Sequence, residues 1–363
     1  MKFNKLKSSI LDCTLRDGSY VNNFSFSKNE SKNILRHLES CNVKNIEIGH
    51  GMGIGASRIK GFRAKETDET YLKIANENLK KSAWGVFCIP GIATLEDLDI
   101  VKDTNMKFIR IGTNVDRYKD MEPFINKAKK LGLFVCANFM KSYLMQPKKF
   151  SELAKWSQSI GTDLIYLVDS AGSMFPEDLK IYHEAIMSKN SKIKLGFHGH
   201  DNLGMGISNA LKAFELKFDM IDTSLQGLGR SSGNTILEVL LCALRKKKIQ
   251  MDIDYIKLMN FSEENIIPIL KRKGFSSIDV ISGMASFHSS YMPVIESAAK
   301  KYKIDPRILI IELCKVNKNT APIDLVNKIA KKLRKKDSVK HIRGGWKKIY
   351  QNYYGEKQTY PKI

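Results

Sequence analysis

Several features that mark other classes of protein are missing from this chain of 363 residues. No segment approaches the roughly 18 consecutive apolar residues that a membrane-spanning helix requires. The N-terminus carries charges but lacks the apolar core of a signal peptide. The six cysteines form no CxxC pair, which argues against a disulfide framework and against a cysteine-rich metal site. These absences predict a cytoplasmic protein, without contact to a membrane, whose cysteines are buried and reduced.

Acidic residues are few relative to basic ones. Lys and Arg number 60 against 38 Asp and Glu, which gives a formal net charge of +22. Such a surplus is typical of proteins that bind nucleic acid or membrane surfaces. The chain has no recognised nucleic-acid motif, however, and much of the surplus lies on lysine-rich helical segments and in residues 331–348. We therefore interpret the charge as biased composition, and a basic nucleic-acid-binding protein is the second alternative function.

Short apolar segments of β type alternate with helical periodicity over about the first 230 residues. Strict alternation predicts an α/β protein with a parallel sheet, and eight repeats in about 240 residues fit a (β/α)8 TIM barrel. A doubly wound open sheet is the alternative. The eight predicted strands are Ile10–Leu15, Asn45–Gly49, Trp84–Ile89, Phe108–Gly112, Phe134–Phe139, Leu164–Val168, Ile193–Phe197 and Met220–Ser224.

The alternation gives way to helical periodicity after about residue 250. We expect a catalytic TIM barrel over residues 1–250, a helical C-terminal domain over residues 251–336 that completes the active site, and a basic tail over residues 337–363. Residues 331–350 hold nine Lys and Arg against one Asp, a composition that predicts little fixed structure.

Polar residues follow the predicted strands at their C-terminal ends, where a TIM barrel has its active site. Strand one runs into Arg16 and Asp17, and strand seven runs into His198 and His200, whose spacing puts both imidazoles on one face of an extended chain. Taken singly, a His pair is more often structural and an Arg–Asp pair is usually a salt bridge. Because only strand eight separates strands one and seven around a barrel, the combination predicts a divalent-metal site of two histidines and one carboxylate.

Further polar residues at strand ends extend this candidate site. Asn234 lies beyond strand eight in the segment GLGRSSGNT, where it either adds an oxygen ligand to the metal or caps the following helix. Each remaining residue would, alone, be interpreted as a loop cap or a surface contact, and only their convergence on one face favours a function. They are Glu47, His50, Asn114, Asn138, Lys141, Asp169 and Ser170.

Five motifs in these segments resemble one known family. LDCTLRDGSY, IEIGHGMG, VDSAGSM, GFHGHDNLGMGISNALKAFE and GLGRSSGNTILEVL are similar to the motifs of the 4-hydroxy-2-oxovalerate aldolases, and they occur in the family's order. These aldolases form part of a larger group of metal-dependent barrel lyases and synthases. The resemblance runs from about residue 9 to residue 330 and includes the helical extension.

The resemblance implies an aldehyde lyase that reversibly cleaves a 4-hydroxy-2-oxo acid into pyruvate and an aldehyde. It implies a divalent ion on Asp17, His198 and His200, with Mn²⁺ expected and Mg²⁺, Co²⁺ or Zn²⁺ as alternatives. Such a metal lowers the energy of the pyruvate enolate as a Lewis acid. Arg16 would neutralise the enolate oxygen, and Ser170 would hydrogen-bond the pyruvate carboxylate. The resemblance also implies an aldehyde dehydrogenase partner, and the fold alone leads us to expect a homodimer.

These expectations assign a role to each candidate. The predicted catalytic residues are Arg16, Tyr20, Glu47 as the residue that orients Arg16, and His288. The predicted substrate-binding residues are Arg16, Asn114, Asn138, Lys141, Ser170 and His198.

Two positions depart from the family pattern in a reciprocal way. The family has a histidine after RDGS, which exchanges a proton with the substrate hydroxyl, where this chain has Tyr20. It has a tyrosine before Ser-Ser in the helical extension, where this chain has His288. We hypothesise that the two have exchanged roles, because an ordinary histidine pKa near 6.5 suits proton transfer and a tyrosine pKa near 10 does not. The alternative is that both positions changed in a protein of altered activity.

Three other positions also differ from the family. Asn138 and Lys141 replace apolar residues, and Asn114 replaces a histidine. An added amide and ammonium group favour a polar or anionic aldehyde, and we expect a hydroxylated or sugar-like one. Such an aldehyde is less volatile, which weakens the case for a dehydrogenase partner. The first alternative function is a Claisen-type synthase that uses acetyl-CoA, whose Arg-Asp-Gly-x-Gln motif Tyr20 interrupts.

Overall fold

A computed structural model describes residues 8–190, 192–270 and 276–334. Its eight strands are all parallel, and each pairs with the next along the chain. Because β8 also pairs with β1, the sheet closes into a barrel, which confirms the (β/α)8 TIM barrel and rules out the open sheet. The strands are β1 (Ser9–Asp12), β2 (Asn45–Ile48), β3 (Ala83–Cys88), β4 (Phe108–Asn114), β5 (Phe134–Met140), β6 (Leu164–Asp169), β7 (Leu195–Gly199) and β8 (Met220–Thr223).

Helices follow most strands and surround the barrel. The connection between β3 and β4 has a 3₁₀ helix, Glu96–Val101, where the other connections have α-helices. The α-helices are α1 (Lys28–Ser40), α2 (Asp68–Asn78), α3 (Glu122–Lys130), α4 (Pro147–Ser159), α5 (Pro176–Lys189), α6 (Gly206–Glu215), α7 (Leu237–Lys246), α8 (Tyr255–Phe261), α9 (Ser277–Ala285), α10 (Met292–Tyr302), α11 (Pro306–Val316) and α12 (Ile323–Arg334).

All eight predicted strands are present, and the largest shift of an end is at β1. This strand ends at Asp12 and not at the predicted Leu15. The Asp12 carboxylate accepts hydrogen bonds from the Thr14 amide (3.0 Å) and the Thr14 hydroxyl (2.8 Å), which is the local turn that Asp side chains favour. The turn directs the following residues, Arg16 and Asp17, across the mouth of the barrel.

The described residues form two main hydrophobic cores. The larger core lies between the barrel and its helices, and it includes Leu258, Phe261 and Ile266 from α8 and the turns after it. The smaller core belongs to α9–α12, from Ile278 to Leu333. The helical extension is therefore confirmed, with its own core, while α8 packs with the barrel. The expected division after residue 250 stays a prediction, and the basic tail, residues 337–363, lies outside the described residues.

The extension is attached to the barrel beside the ends of β7 and β8. Asn202 donates to the Asp279 carbonyl (3.0 Å), and the Ser231 hydroxyl donates to the Asp279 carboxylate (2.7 Å). Gly283 allows close contact, because a Cβ there would lie only 2.9 Å from the Cβ of Asn202. These contacts hold α9 and the segment after it over the mouth of the barrel.

Five of the six cysteines are buried, as the sequence predicted. All six cysteines are thiols, and Cys242 alone among them is exposed. In the described ranges, none of the helices combines the length and the hydropathy that crossing a bilayer demands.

Candidate active site

A cavity of about 430 Å³ opens at the C-terminal ends of the strands. The structure brings ten of the predicted site residues to its walls, although they come from six segments of the chain. They are Arg16, Asp17, Tyr20, Asn114, Asn138, Lys141, Ser170, His198, His200 and His288. The volume lies in the range typical of sites for small molecules.

Four of the candidates do not line the cavity. Glu47 and Asn234 lie behind it and support residues that do. His50 bonds within its own loop, to the Phe62 carbonyl (2.7 Å) and the Met52 amide (3.0 Å), and burial lowers its pKa to about 4. Asp169 accepts backbone amide hydrogen bonds in the loop after β6. His50 and Asp169 therefore have structural roles.

Asp17, His198 and His200 form a compact set of candidate metal ligands. Their ligand atoms all lie within 4.8 Å of one another, and all three residues are buried. His198 Nδ1 is 2.8 Å from Asp222 Oδ2, and His200 Nδ1 is 3.2 Å from the Gly233 carbonyl. Because these oxygens accept a hydrogen bond from Nδ1, the lone pair that could bind a metal is on Nε2 of each ring, as is usual for histidine ligands. At His200 this Nε2 accepts a hydrogen bond from Arg230 Nη2 (3.1 Å), which a bound metal would replace. The three residues therefore fit a divalent cation.

Electrostatics keep this set in the state that a metal needs. Burial opposes ionisation of Asp17, but Arg16, His200 and His198 outweigh it and hold the pKa of the carboxyl well below its usual range. Burial, together with the charge of Arg230, lowers the pKa of His200 well below that of a free histidine. An anionic carboxylate and a neutral imidazole are the forms that coordinate metal ions.

A buried network of ion pairs lies beneath the cavity. Arg16 binds Asp17 (2.6 Å) and Glu47 (2.7 Å), and Glu47 also accepts from Arg110 (2.8 Å). Arg110 in turn pairs with Asp222, which binds His198. The network thus connects Arg16, at the mouth, to the candidate metal ligand His198 through the Arg110 guanidinium in the barrel interior.

Reasoning from the sequence missed Arg110 and Asp222. Both are fully buried, and Arg110 lies over the Tyr166 ring at 4.3 Å. The available signal was a charged residue inside an apolar strand, in FIRIG for β4 and MIDTS for β8. Such a residue in a barrel strand needs a buried partner of opposite charge.

Asn234 supports Asp17. Its Nδ2 donates to Asp17 Oδ2 (2.8 Å) and to the Leu228 carbonyl (3.1 Å), while its buried Oδ1 has no hydrogen-bond partner. Helix α7 begins with Ile236 in the capping position and has no side-chain cap, so the alternative that Asn234 caps this helix is wrong. Its role as an oxygen ligand stays a prediction.

His288 reaches the cavity from the segment before α10, but its pKa differs from our expectation. The expected ordinary value is wrong, because burial and the nearby charges of Arg230 and Lys141 lower the pKa well below 6.5. His288 Nδ1 accepts from the Ser290 amide (3.2 Å) and lies 2.6 Å from the Ser290 hydroxyl. The ring is therefore neutral near neutral pH.

Arg230 is a third residue that reasoning from the sequence missed. It lines the cavity, bonds to the Ser289 hydroxyl, and donates through Nη2 to the Ser170 carbonyl (3.0 Å) and to His200 Nε2 (3.1 Å). The motif GLGRSSGNT contained this signal, an arginine among glycines and serines after a strand, but a role was predicted only for its Asn234.

Comparison with known proteins decides the family. The model of the HMGL-like family matches residues 7–264. The chain belongs to the HMGL-like family.

Two curated relatives of this HMGL-like protein share a name. This chain is 34% identical over 330 residues to the 4-hydroxy-2-oxovalerate aldolase of Carboxydothermus hydrogenoformans, a match that covers 91% of this chain and 98% of the relative. The enzyme of the same name from Thermus thermophilus is 31% identical, with 91% and 95% covered.

Solved structures of low sequence identity share the fold of this HMGL-like protein. A putative aldolase domain from Bacteroides vulgatus has a TM-score of 0.68 at 24% identity, covering 85% of this chain and 97% of that one. The carboxyl transferase domain of Rhizobium etli pyruvate carboxylase with oxamate and biotin has a TM-score of 0.73 at 15% identity, covering 92% and 61%.

The network predicts that Asp222 acts on the metal through His198. We expect Asp222→Asn to weaken Mn²⁺ binding by about 10- to 100-fold, because an amide is a poorer partner for the imidazole Nδ1–H than a carboxylate. Isothermal titration calorimetry measures this affinity. The control is Asp219→Asn. Asp219 directly precedes β8, at the end of the barrel opposite the mouth, and its carboxylate accepts a hydrogen bond from the Leu195 amide (3.0 Å). Equal affinity in Asp222→Asn and the unmodified protein would contradict the assignment.

Proposed function

We propose that this protein is a divalent-metal-dependent aldolase, a carbon–carbon lyase that reversibly cleaves a 4-hydroxy-2-oxo acid into pyruvate and an aldehyde. The observation that carries the proposal is the meeting of Arg16 with Asp17, His198 and His200 in one cavity. Relatives named 4-hydroxy-2-oxovalerate aldolase, similar over about nine-tenths of the chain, support the same activity.

The proposed cleavage breaks the C3–C4 bond, and the electron pair stays with C3 of the departing pyruvate as its enolate. A divalent ion on Asp17, His198 and His200, with Mn²⁺ expected, would supply Lewis-acid polarisation of the keto group. Arg16 would place a fixed positive charge beside the developing enolate oxygen. Burial disfavours its charged form, but Glu47 and Asp17 outweigh this and raise the pKa of Arg16. The guanidinium therefore stays charged throughout.

Ser170 is suited to binding the carboxylate of pyruvate. Its Oγ accepts a hydrogen bond from the Lys141 amide (3.0 Å), and the residue is buried at the cavity wall. Since an amide occupies one lone pair of this oxygen, the hydroxyl proton remains to be donated to a ligand. We assign it to the carboxylate of pyruvate.

Proton transfer at the substrate 4-hydroxyl would belong to His288. A neutral imidazole accepts a proton in the cleavage direction and returns it in the condensation direction. The Ser290 hydroxyl lines the cavity and lies 2.6 Å from His288 Nδ1, so the proton can pass through this hydroxyl. Tyr20, on the same cavity, would then hydrogen-bond the substrate, as the exchange of roles requires.

We propose a polar aldehyde as the second product. Asn114, Asn138 and Lys141 all line the cavity, and Asn138 Oδ1 is buried without a partner. A buried acceptor that lacks a donor costs free energy, about 1 to 3 kcal/mol, which a hydroxyl of the substrate would remove. Our proposal also includes a cytoplasmic location and a homodimer. An aldehyde dehydrogenase partner rests on the resemblance alone.

Exchange of the methyl protons of pyruvate tests the enolate step. With Mn²⁺ in D₂O, the protein should replace these protons with deuterium, measured by ¹H NMR. We expect Arg16→Lys to slow the exchange by about 100-fold, because one positioned donor is lost. Arg58→Lys, an exposed residue paired with Asp97, is the matched control. Absence of exchange, combined with thiol release from acetyl-CoA and a 2-oxo acid, would favour the Claisen-type synthase instead.

A second experiment tests the exchange of roles between His288 and Tyr20. We expect His288→Ala to lower the rate of aldol cleavage by about 100-fold or more, because the group that accepts the proton is lost. Pyruvate exchange should continue, since it does not use the 4-hydroxyl. Tyr20→Phe should have a smaller effect, and His183→Ala on outer helix α5 is the control. Full turnover by His288→Ala would disprove the exchange.

A further inference from the structure

Two cations flank one turn at the wall of the cavity. Lys141 follows β5, and its Nζ donates to the Tyr291 hydroxyl (2.5 Å) while lying 4.6 Å above that ring. Arg230, in the loop after β8, donates to the Ser289 hydroxyl. Both cations therefore contact the 3₁₀ turn Ser289–Tyr291, and both are buried, with 3% and 6% of their surface exposed.

Arg16 and Arg117 also line the cavity, and both form ion pairs with carboxylates. Arg16 is paired with Asp17 and Glu47, and Arg117 is paired with Asp120 in the segment after β4. Asp116 belongs to that same segment. The positive charge of Lys141 and Arg230 is felt at the turn itself, since both lower the pKa of His288. This wall of the cavity is thus electropositive.

Both cations can donate several hydrogen bonds, and Arg230 also donates to the Ser170 carbonyl (3.0 Å) and to His200 Nε2 (3.1 Å). A lysine ammonium has three N–H donors and an arginine guanidinium has five. Two positively charged groups at one wall of the cavity can together bind the oxygens of an anion. A carboxylate or a phosphate offers several such oxygens, and hydrogen bonds between charged groups are the stronger kind.

An independent observation points to a ligand at the same wall. Asn138, on β5, lines the cavity with 2% of its surface exposed, and its Oδ1 has no hydrogen-bond partner. An acceptor buried in this way is completed by a donor, and a hydroxyl of the substrate supplies one.

We infer that the aldehyde carries an acid group, a carboxylate or a phosphate, which binds to Lys141 and Arg230, and a hydroxyl that donates to Asn138. The inference rests on the proposed aldolase function and narrows its substrate class from polar to anionic aldehydes. Lys141 and Arg230 are the residues that determine this specificity.

Matched pairs of aldehydes test the acid group. Condensation with pyruvate is measured for butanal against succinic semialdehyde, and for glyceraldehyde against glyceraldehyde 3-phosphate. We expect kcat/KM to be at least 100-fold higher for the acidic member of at least one pair. The pair with the larger ratio tells whether the acid group is a carboxylate or a phosphate.

A substitution at Lys141 tests whether this residue causes the preference for acidic aldehydes. Lys141→Met should lower the ratio of acidic to neutral kcat/KM by at least tenfold, because a charge-assisted hydrogen bond is lost. Lys119→Met removes an exposed lysine from the segment after β4, and it should leave the ratio unchanged. A parallel measurement needs no variant: succinate or inorganic phosphate should compete with the acidic aldehyde in the unmodified protein.

The outcomes separate the two proposals. Pyruvate exchange and condensation with equal kcat/KM for acidic and neutral aldehydes would overturn the anionic substrate and leave the aldolase intact. An unchanged ratio in Lys141→Met, or no competition by either anion, would also overturn it. If the protein catalysed neither pyruvate exchange nor condensation with any of the four aldehydes, the proposed aldolase function itself would be overturned.

Discussion

Arg110 is the residue on which the arrangement of the site depends. Its guanidinium lies in the barrel interior, where it binds Glu47 and Asp222 at once. Glu47 fixes Arg16, and Asp222 fixes His198, so one buried cation positions both the proposed enolate-binding residue and a proposed metal ligand. Removal of one partner from a buried ion pair costs about 3 to 5 kcal/mol. The network is therefore stable only when it is complete, which keeps the mouth in one geometry.

The site is shared between the barrel and the helical extension. The barrel supplies the candidate metal ligands and Arg16. The extension, with its own core, supplies His288 and the turn Ser289–Tyr291. Hydrogen bonds from Asn202 and Ser231 to Asp279 hold the two parts together at the mouth. This division fits the proposed chemistry: the barrel would bind the metal, pyruvate and the aldehyde, the last through Asn138, Lys141 and Arg230, and the extension would supply the group that exchanges a proton with the 4-hydroxyl.

Much of this arrangement follows from local sequence patterns. The eight strands were predictable because apolar segments in alternation with helices dictate a parallel barrel. Asp17, His198 and His200 were predictable because the ends of parallel strands meet at one face. The pKa of His288 was not predictable, because it depends on burial of the ring and on the charges of Arg230 and Lys141, which lie far away in the sequence. The role of Arg110 was not predicted for a similar reason. Its partner Asp222 is 112 residues away in the sequence and contacts it only in the closed barrel.

The most direct test of the account is a crystal structure of the protein with Mn²⁺ and pyruvate, recorded with anomalous scattering from manganese. We predict one strong manganese peak bounded by Asp17, His198 and His200, with the keto oxygen of pyruvate facing Arg16 and its carboxylate at Ser170. Manganese bound elsewhere, or pyruvate with its keto oxygen turned away from Arg16, would contradict the account.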